Sequence, residues 1–420
     1  MQNFRAIEAC RICGNSELIP ILNLGEQSLT GVFPGSPDEP VTRGPLELVR
    51  CSGGHRVCGL VQLRHSYSSS EMYGPSYGYR SSLNQSMITH LRDTVRKVCM
   101  LASPDAGDVV IDIGSNDGTT LSFFPPEMIR VGVDPLAANF AHLYDPRIVR
   151  VPEFFSREAL NAVLDGRKAK IITSLAMFYD LENPQDFVNE VSSVLADDGI
   201  WYFEQSYMPL MLTTTAYDTI CHEHLEYYAL RQVEWLLTRA NLKVIDVEVN
   251  AVNGGSFAVT AAKAVSKYRP NETRIDAVRA SEQNADIQSL KPFEQFRDNV
   301  FAHRDALRDL VTRLSDEGKT IIGYGASTKG NVLLQFCDFS TDQIPFMAEV
   351  NEDKFGRFTP GTSIPIIPQE QARRMKPDFF LVLPWHFRDN LISREREFLA
   401  TGGKMIFPLP VIEIVEGESR

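Results

Sequence analysis

An apolar run that leads into a glycine turn and then a helix-like segment occurs twice in this chain of 420 residues. The first copy reads VVIDIGSNDGTTLSFF from Val109, and the second reads KTIIGYGASTKGNVLLQF from Lys319. A strand joined to a helix by a glycine turn is the repeating unit of doubly wound sheets, so the pattern predicts an α/β protein with two Rossmann-like domains. The length leaves room for a further small module, since domains average roughly 150 residues.

The first glycine turn is acidic and predicts a cofactor that carries positive charge. Asp117 inside the turn would repel a diphosphate, whereas S-adenosylmethionine (SAM) carries a sulfonium and an ammonium group. The next short strand, RVGVDP, ends in Asp134, where a carboxylate can hold ribose hydroxyls. We therefore expect a SAM-binding methyltransferase domain; the alternative is a domain that only binds nucleotide. The predicted cofactor-binding residues are Asp112, Gly114, Ser115, Asn116, Asp117, Gly118, Asp134 and Ser174.

The second glycine turn is cationic and rich in hydroxyl groups, which predicts a diphosphate site. Backbone N–H groups at the expected helix start can bind phosphate together with Lys329. The order A-S-T-K-G differs from the G-x-x-x-x-G-K-[ST] loop of kinases and ATPases, which argues against those activities. The predicted substrate-binding residues here are Tyr324, Ser327, Lys329, Asn331, Asn351, Lys354 and Arg357; for the last three, a solvated loop is the alternative.

Four of the seven cysteines lie in the first 58 residues and predict a structural zinc site. Cys10 and Cys13 form a C-x-x-C knuckle, and Cys51 and Cys58 provide a second, irregular pair. Four ligands would close a tetrahedral site and leave no position for substrate. We favour Cys51 as the fourth ligand, with His55 as the alternative, and buried free cysteines as the alternative to a metal site.

The overall charge and hydropathy of the chain exclude several classes of partner. The formal net charge is −12, which argues against nucleic acid or an anionic membrane as the main partner. No apolar run approaches the roughly 18 residues of a spanning helix, and MQNFRAIEACRICG lacks the form of a signal peptide. We expect a cytoplasmic protein.

The segment YDTICHEHLEYY, residues 217–228, predicts the catalytic centre. His222 and His224 bracket Glu223; a neutral imidazole is a base near neutral pH, and a nearby carboxylate can orient it. A second metal site is disfavoured because the zincin motif needs histidines four residues apart. The alternative is that these are structural polar residues. We also expect Glu204, at the end of the strand IWYFEQSY, to face the cleft and to bind the substrate.

Several motifs in one order resemble the three-part nucleotide-sugar C-methyltransferases. They are the C-x-x-C knuckle, VCGLVQL, DIGSNDG, CHEHLEYY, NGGSF and GYGASTKG. The resemblance implies a zinc module over residues 1–70, a SAM domain with a preceding lid segment over 71–265, and a C-terminal nucleotide-sugar domain over 266–420. It further implies methylation at C-3 of a nucleoside-diphosphate 4-keto-6-deoxysugar. We expect a monomer or a small homo-oligomer. Sugar O-methylation and a catalytically silent nucleotide-sugar-binding protein are the alternatives.

The resemblance also implies roles for individual residues. Glu223 and His224 match the catalytic pair, with His224 as the base for the C-3 proton and Glu223 as its support or as a hydrogen-bonding group for the substrate. The lid tyrosine that contacts the sugar matches Tyr79, which we place with the catalytic residues. Tyr77 lies in the same segment, EMYGPSYGYRSS, whose flexible tyrosines predict a substrate-binding lid; a plain surface loop is the alternative.

The chain departs from its relatives at two positions of the expected sugar pocket. Relatives carry a histidine near the place of Met177 or Phe178, and those of the antibiotic type carry a tyrosine in place of Cys221. We therefore expect sugar substituents that differ from those of an amino-deoxysugar, with Tyr179 supplying a hydroxyl in place of the histidine.

Overall fold

The computed structural model describes residues 4–54, 57–73 and 80–417, and the predicted α/β class is confirmed. The strands are β1 (Phe4–Ala6), β2 (Leu18–Ser28), β3 (Arg43–Cys51), β4 (Val61–Leu63), β5 (His65–Tyr67), β6 (Val109–Ile113), β7 (Ile129–Val133), β8 (Val149–Val151), β9 (Ala169–Leu175), β10 (Leu195–Ser206), β11 (Glu226–Tyr227), β12 (Leu242–Asn250), β13 (Ser256–Lys263), β14 (Ile321–Tyr324), β15 (Met347–Glu349), β16 (Ile366–Pro368), β17 (Phe379–Val382), β18 (Lys404–Phe407) and β19 (Glu413–Glu416). The α-helices are α1 (Ser69–Met72), α2 (Gln85–Ala102), α3 (Thr119–Ser122), α4 (Arg157–Leu164), α5 (Pro184–Val194), α6 (Met208–Thr213), α7 (Leu230–Arg239), α8 (Glu272–Asn284), α9 (Lys291–Asp316), α10 (Thr328–Phe336), α11 (Gln369–Arg374), α12 (Arg388–Arg394) and α13 (Arg396–Ala400).

The N-terminal module is an antiparallel sheet of order β11-β4-β3-β2, with β1 and β5 paired separately. Its fourth strand, β11, comes from the predicted catalytic segment, with Glu226 opposite Gln62 and Tyr227 opposite Val61. The backbone of this segment is therefore hydrogen-bonded to the zinc module.

The central domain is a seven-stranded sheet of order β12-β13-β10-β9-β6-β7-β8, in which only β13 runs antiparallel to its neighbours. Helices α2 and α3 cover one face, and α4, α5 and α7 cover the other. Because both faces are covered, every residue of β6 is buried, which explains the continuous apolar run VVIDI. This is the methyltransferase arrangement that the first glycine turn predicts.

The C-terminal domain is a six-stranded sheet of order β16-β15-β14-β17-β18-β19, with β19 antiparallel to the rest. This strand order places β14 at the topological switch point, where doubly wound sheets bind ligands. Helix α10 starts directly after the second glycine turn, and the Ser327 hydroxyl caps it by accepting a hydrogen bond from the Gly330 N–H at 3.0 Å.

Two segments whose sequences have helical character are not helical throughout. The pattern NPQDFVNEVSSVLADDG becomes α5 only up to Val194, and β10 starts at Leu195 with a register shift before Ile200. A Cβ on Gly199 would lie 2.7 Å from the Ala169 carbonyl oxygen, so glycine permits this bulge. The polar stretch from Asn271 to Leu314 divides into α8 and α9, and Asp286 between them has a φ of 52°.

Within the described ranges, no helix is both long enough and apolar enough to cross a lipid bilayer.

Candidate active site

Two adjoining cavities lie at the carboxyl ends of the central strands. The first, of about 210 Å³, opens beside the ends of β6, β7 and β9. The second, of about 840 Å³, lies between the central and C-terminal domains. Both cavities are lined by Met87, Ala176, Asp180 and Asn253. A group bound in one cavity can therefore reach a group bound in the other at this shared wall.

The first cavity is surrounded by carboxylates. Asp112 at the end of β6 accepts a hydrogen bond from Thr173 Oγ1 at 2.5 Å, and burial raises its pKa to about 7. Asp134 after β7 accepts the backbone N–H groups of Asn116 at 2.8 Å and Leu136 at 2.7 Å. Cationic groups complement such a site, so these residues fit the sulfonium and ammonium of SAM. Gly114, Ser115 and Asn116 also line this cavity.

Three of the predicted cofactor-binding residues lie outside the cavity that the described residues form. Asp117 accepts hydrogen bonds from Thr119 Oγ1 at 2.6 Å and from the Ser82 N–H at 2.9 Å, so its charge stabilises the start of α3 and the preceding loop. Ser174 accepts a hydrogen bond from Trp201 Nε1 at 3.1 Å in the interior. Gly118 has a φ of 78°, and a Cβ there would contact the Tyr144 ring. The acidic environment therefore comes from carboxylates other than Asp117.

Glu204 lines the first cavity and not the second. The substrate-binding role predicted for Glu204 would require it to line the second. His90 Nε2 lies 2.6 Å from one of its oxygens, and Asn250 Nδ2 donates to the other at 2.8 Å. Burial alone would lower the pKa of His90, but the hydrogen bond to Glu204 and the negative charges of Glu204 and Asp93 together outweigh burial and raise it. His90 lies on α2, before the first glycine turn, and no motif marks it in the sequence.

Asp180 is a second residue that the sequence does not mark as functional. It lines both cavities, and its Oδ1 has no hydrogen-bond partner among the described residues. Burial and the neighbouring Glu223 raise the pKa of this carboxyl well above its usual range. Asp180 directly follows Tyr179. The sequence predicts that Tyr179 enters the pocket, and it lines the second cavity.

His224 lines the second cavity in a form that can accept a proton. Its Nδ1 donates to the Thr219 carbonyl oxygen at 2.8 Å, so the proton is on Nδ1 and Nε2 carries the lone pair. Burial lowers the pKa of His224 to about 3, which keeps the ring neutral at pH 7. The Tyr179 ring packs against it, with centroids 4.1 Å apart. The Thr219 carbonyl, and not Glu223, orients the imidazole.

Glu223 faces the same cavity from a buried position. Burial raises its pKa to about 7, while the charge of Lys354 acts in the opposite direction. A Cβ on Gly31 of the N-terminal module would lie 2.1 Å from Glu223 Oε1, so only glycine leaves room for this carboxylate. Lys354 Nζ donates to the Ala326 carbonyl oxygen at 2.7 Å and lies 4.3 Å from the centre of the Phe33 ring.

His222 does not share this environment, which corrects the catalytic role predicted for it. Its ring packs edge-on against Tyr67, with centroids 4.6 Å apart, and it lines neither cavity of the described chain. Burial lowers the pKa of His222 to about 3. His222 is therefore a neutral interior residue of the segment 217–228, at its contact with the zinc module.

The C-terminal domain contributes most of the predicted substrate-binding residues to the second cavity. Those that line it are Tyr324, Ser327, Lys329, Asn351 and Lys354, joined by Arg80 and Arg394. Asn331 lies elsewhere, because its Nδ2 donates to the Thr30 carbonyl oxygen at 2.7 Å. Arg357 donates to the Phe33 carbonyl oxygen at 3.0 Å. These last two residues hold the C-terminal domain against the N-terminal module.

The remaining residues of the predicted sugar pocket have three different placements. Tyr77 and Tyr79 fall outside the described residues, although Ser81 just after them donates its N–H to Asn116 Oδ1 at 3.1 Å. Met177 lines the first cavity. Phe178 stacks on Tyr228 in the core, and Cys221 is fully buried outside both cavities, so neither is placed to contact a sugar.

The four predicted metal ligands form one cluster. Their sulfur atoms lie within 4.8 Å of one another, with 3.4 Å between Cys10 and Cys58 and between Cys13 and Cys51. A tetrahedral zinc ion with Zn–S bonds of about 2.3 Å fits four sulfurs at such spacing. Asn15 Nδ2 lies 3.4 Å from Cys51 Sγ, as a donor to a thiolate would. His55 falls outside the described residues.

Comparison with known proteins assigns each part of the chain to a family model. The matches are “Putative zinc binding domain” over residues 10–73, “Methyltransferase domain” over 86–247 and “C-methyltransferase C-terminal domain” over 251–410. The C-methyltransferase NovU of Streptomyces niveus is 33% identical over 420 residues, which cover 99% of this chain and 98% of NovU.

Solved structures resemble a smaller part of the chain. A SAM-dependent methyltransferase from Clostridium acetobutylicum is 14% identical, with a TM-score of 0.34, and covers 42% of this chain and 92% of its own length. The plantazolicin methyltransferase BpumL in complex with SAH is 13% identical, with a TM-score of 0.34, and covers 42% of this chain and 84% of its own. The full-length match to NovU and the three family models show that this chain belongs to the C-methyltransferase family and is a SAM-dependent methyltransferase with a zinc-binding domain.

Proposed function

We propose that this protein methylates a ring carbon next to a ketone, namely C-3 of a nucleoside-diphosphate-linked 4-keto-6-deoxysugar. The observation that carries the proposal is the neutral His224, which has its lone pair on Nε2, lines the larger cavity and packs against Tyr179, the neighbour of Asp180 in the wall shared with the first cavity. Carbon methylation requires a base at that place, because a C–H proton next to a ketone must leave before the carbon can attack.

The residues of the second cavity divide the remaining work. His224 takes the C-3 proton on Nε2, and Glu223 hydrogen-bonds a sugar hydroxyl. When bound, SAM supplies an electrophilic methyl group on its sulfonium. Asp112 and Asp134 would hold its charged and ribose groups in the first cavity, which shares Ala176 and Asp180 with the second.

The second cavity also has the charge that a nucleoside diphosphate requires. Arg80, which precedes α2 and lies 3.6 Å from Asp353, lines it together with Arg394, the second glycine turn and the first turn of α10. Backbone N–H groups at a helix start and arginine side chains both bind phosphate. The nucleotide would therefore lie on the C-terminal domain, with the sugar extending toward His224.

Product analysis tests the proposal directly. The purified protein is incubated with SAM labelled with ¹³C at the methyl group and with dTDP-, GDP- and CDP-linked 4-keto-6-deoxysugars. We expect one substrate to yield a methyl resonance coupled to a quaternary or methine carbon of the ring. A methyl resonance attached only to oxygen would favour a sugar O-methyltransferase, and an absence of transfer to every sugar would contradict both activities.

A further inference from the structure

Lys329 occupies a different place from the other predicted phosphate-binding residues. Its Nζ donates to the Asn253 carbonyl oxygen at 2.8 Å, which connects the start of α10 to the hairpin between β12 and β13 of the central domain. Asn253 is one of the residues that line both cavities. The ammonium group is therefore held at the boundary between the cavities.

The hairpin that receives Lys329 is shaped for close contact with the C-terminal domain. Asn253, Gly254 and Gly255 all have positive φ angles, of 52°, 89° and 126°. A Cβ on Gly254 would lie 2.9 Å from the Trp385 ring. Glycine at this position therefore lets the C-terminal domain approach the hairpin, and this approach brings Lys329 to the Asn253 carbonyl.

The catalytic segment meets the C-terminal domain at the same place. Trp385 Nε1 donates to Asp218 Oδ2 at 2.8 Å, and His386, the next residue, lines the second cavity together with His224 and Lys329. The positive charge of Lys329 adds to burial in lowering the pKa values of His224 and His386, each to about 3. The ammonium thus acts electrostatically on the proposed base.

No carboxylate lies within ion-pair distance of Lys329 in the described part of the chain, and its one side-chain hydrogen bond is to the neutral Asn253 carbonyl. Its charge is therefore not cancelled by an ion pair. A fixed, unpaired ammonium in a partly enclosed site stabilises negative charge that develops nearby far better than water does. The remaining donors of an ammonium group can point to a second acceptor.

We propose that Lys329 is the group that stabilises the enolate oxygen of the substrate, and that it is not a ligand of the diphosphate. This inference rests on the proposed function. The reacting carbon must lie at the wall between the cavities, and Lys329 is tied to that wall through Asn253. Arg80 instead lies 3.6 Å from Asp353, and Arg394 lies 5.7 Å from the centre of the Tyr324 ring, both contacts being with the C-terminal domain.

The step balances without an oxidant or a reductant. His224 Nε2 takes the proton from C-3, and the C–H bonding pair becomes the double bond between C-3 and C-4. The π pair of the ketone moves onto its oxygen, where Lys329 Nζ donates a hydrogen bond to the resulting negative charge. The proton stays on the imidazole, which forms an ion pair with the enolate.

Proton exchange measured apart from methyl transfer tests this assignment. The wild-type protein and the variants Lys329→Met, Lys329→Arg and Lys291→Met are incubated in D₂O with a saturating 4-keto-6-deoxysugar nucleotide and S-adenosylhomocysteine. The loss of the C-3 proton signal is followed by NMR. Calorimetry then gives the Kd of each variant for the matching nucleoside diphosphate. Lys291 is an exposed lysine at the start of α9 and serves as the control.

We expect Lys329→Met to slow exchange by about 10²- to 10³-fold, the usual cost of losing one oxyanion donor, while its Kd for the nucleoside diphosphate changes less than about threefold. Lys329→Arg keeps the charge and should recover part of the rate, and Lys291→Met should match the wild type. An exchange rate that is unchanged in Lys329→Met would overturn the assignment, as would a Kd raised tenfold or more with exchange at saturation preserved.

The proposed function can fail separately from this assignment. If the wild-type protein exchanges no proton of any keto sugar but methylates a sugar oxygen, no enolate forms, and both proposals are wrong. If the wild type exchanges the C-3 proton and Lys329→Met does so equally well, only the role of Lys329 is wrong. Retained affinity for S-adenosylhomocysteine shows that a slow variant is folded.

Discussion

The two cavities follow glycine turns of the same design, yet they present opposite charges to their ligands. Asp112, Asp134 and Glu204 line only the first, whereas Arg80, Lys329, Lys354 and Arg394 line only the second, beside the carboxyl groups of Glu223 and Glu349; Asp180 lines both. Backbone geometry alone therefore does not select the ligand. The side chains that follow each strand set the sign of the local charge, so one repeated unit can hold a cationic methyl donor in one domain and, as we propose, a phosphorylated sugar in the other.

We propose that the segment 217–228, which contains His224, uses this difference in charge. β11 pairs with the zinc module, Trp385 of the C-terminal domain contacts Asp218, and His224 faces the second cavity beside the shared wall. All three parts of the chain thus fix the position of one imidazole. Precise placement of a base relative to two ligands is a large part of catalysis between bound reactants.

The largest effect is expected from changing His224, the proposed base in the second cavity. His224→Asn should lower kcat by about 10²- to 10⁴-fold, because a positioned base contributes that much, while the Kd for SAM stays within about twofold of the wild type. Turnover measured with labelled SAM and binding measured by calorimetry check the two expectations.

His222→Asn is the matched control for this change. His222 is a buried histidine of the same segment that lines neither cavity, so its kcat should stay within about threefold of the wild type even if the variant is less stable. An equal loss of turnover in both variants would show that the catalytic base has been misplaced.

A second change removes charge from the first cavity only. Asp112→Asn keeps an acceptor for Thr173 Oγ1 but removes the carboxylate, and we expect its Kd for SAM to rise about 10- to 100-fold, which is up to about 2.7 kcal/mol. Its Kd for a nucleoside diphosphate should not change. A loss of affinity for both SAM and the nucleoside diphosphate would contradict the assignment of one ligand to each cavity.

The same variant carries a stability prediction with a defined pH dependence. Burial raises the pKa of Asp112 from 3.8 to about 7. Ionising Asp112 therefore lowers the free energy of unfolding of the ligand-free protein; this loss is complete above pH 7 and vanishes as the pH falls to about 4. Asp112→Asn should therefore stabilise the ligand-free protein at pH 8, by up to about 4 kcal/mol, and leave it unchanged at pH 4. Calorimetric melting at both pH values tests this. A destabilised variant at pH 8 would contradict the burial cost.

The smallest effect is expected at the rim of the second cavity. Arg394 is exposed there, so Arg394→Met should raise the Kd for a nucleoside diphosphate by only about fivefold, with a weaker dependence on salt. Arg396→Met, two residues along and outside the cavity, is the control. An unchanged Kd in Arg394→Met would remove this arginine from the phosphate site, and a raised Kd for SAM would contradict the separation of the ligands.

The sequence predicts the two Rossmann-like domains well because each depends on a local signal. A buried β-branched run, a glycine turn and a helix start fall within about 20 residues, and short-range patterns of this kind survive most tertiary influences. The cysteine cluster is likewise predictable, because two pairs of cysteines, each pair close in sequence, are typical of a tetrahedral zinc site.

The orientation of individual side chains is less predictable. His222 and His224 would share a face if the segment were extended, but the chain turns here, with the His224 N–H bonded to the Cys221 carbonyl oxygen at 3.1 Å, and the two rings separate. Asp117 lies in the correct turn but accepts hydrogen bonds from Thr119 and Ser82. A sequence position does not reveal which nearby donors will claim a carboxylate.

His90, Asp180 and Asn253 illustrate what sequence reasoning cannot reach. Each enters the site through contacts between distant segments: His90 meets Glu204 across 114 positions, and Asn253 meets Lys329 across 76. The expected role of Lys329 in binding phosphate follows from its place at a helix start. Its contact with Asn253 depends on how two domains pack, which no local pattern encodes.

Simultaneous binding of the two ligands tests the central claim most directly. The protein is saturated with S-adenosylhomocysteine and titrated with the nucleoside diphosphate of its substrate, and the titration is repeated in the reverse order. Separate cavities predict one site for each ligand and Kd values that change less than about threefold in the presence of the other. Displacement of one ligand by the other would place both in a single cavity and contradict the account.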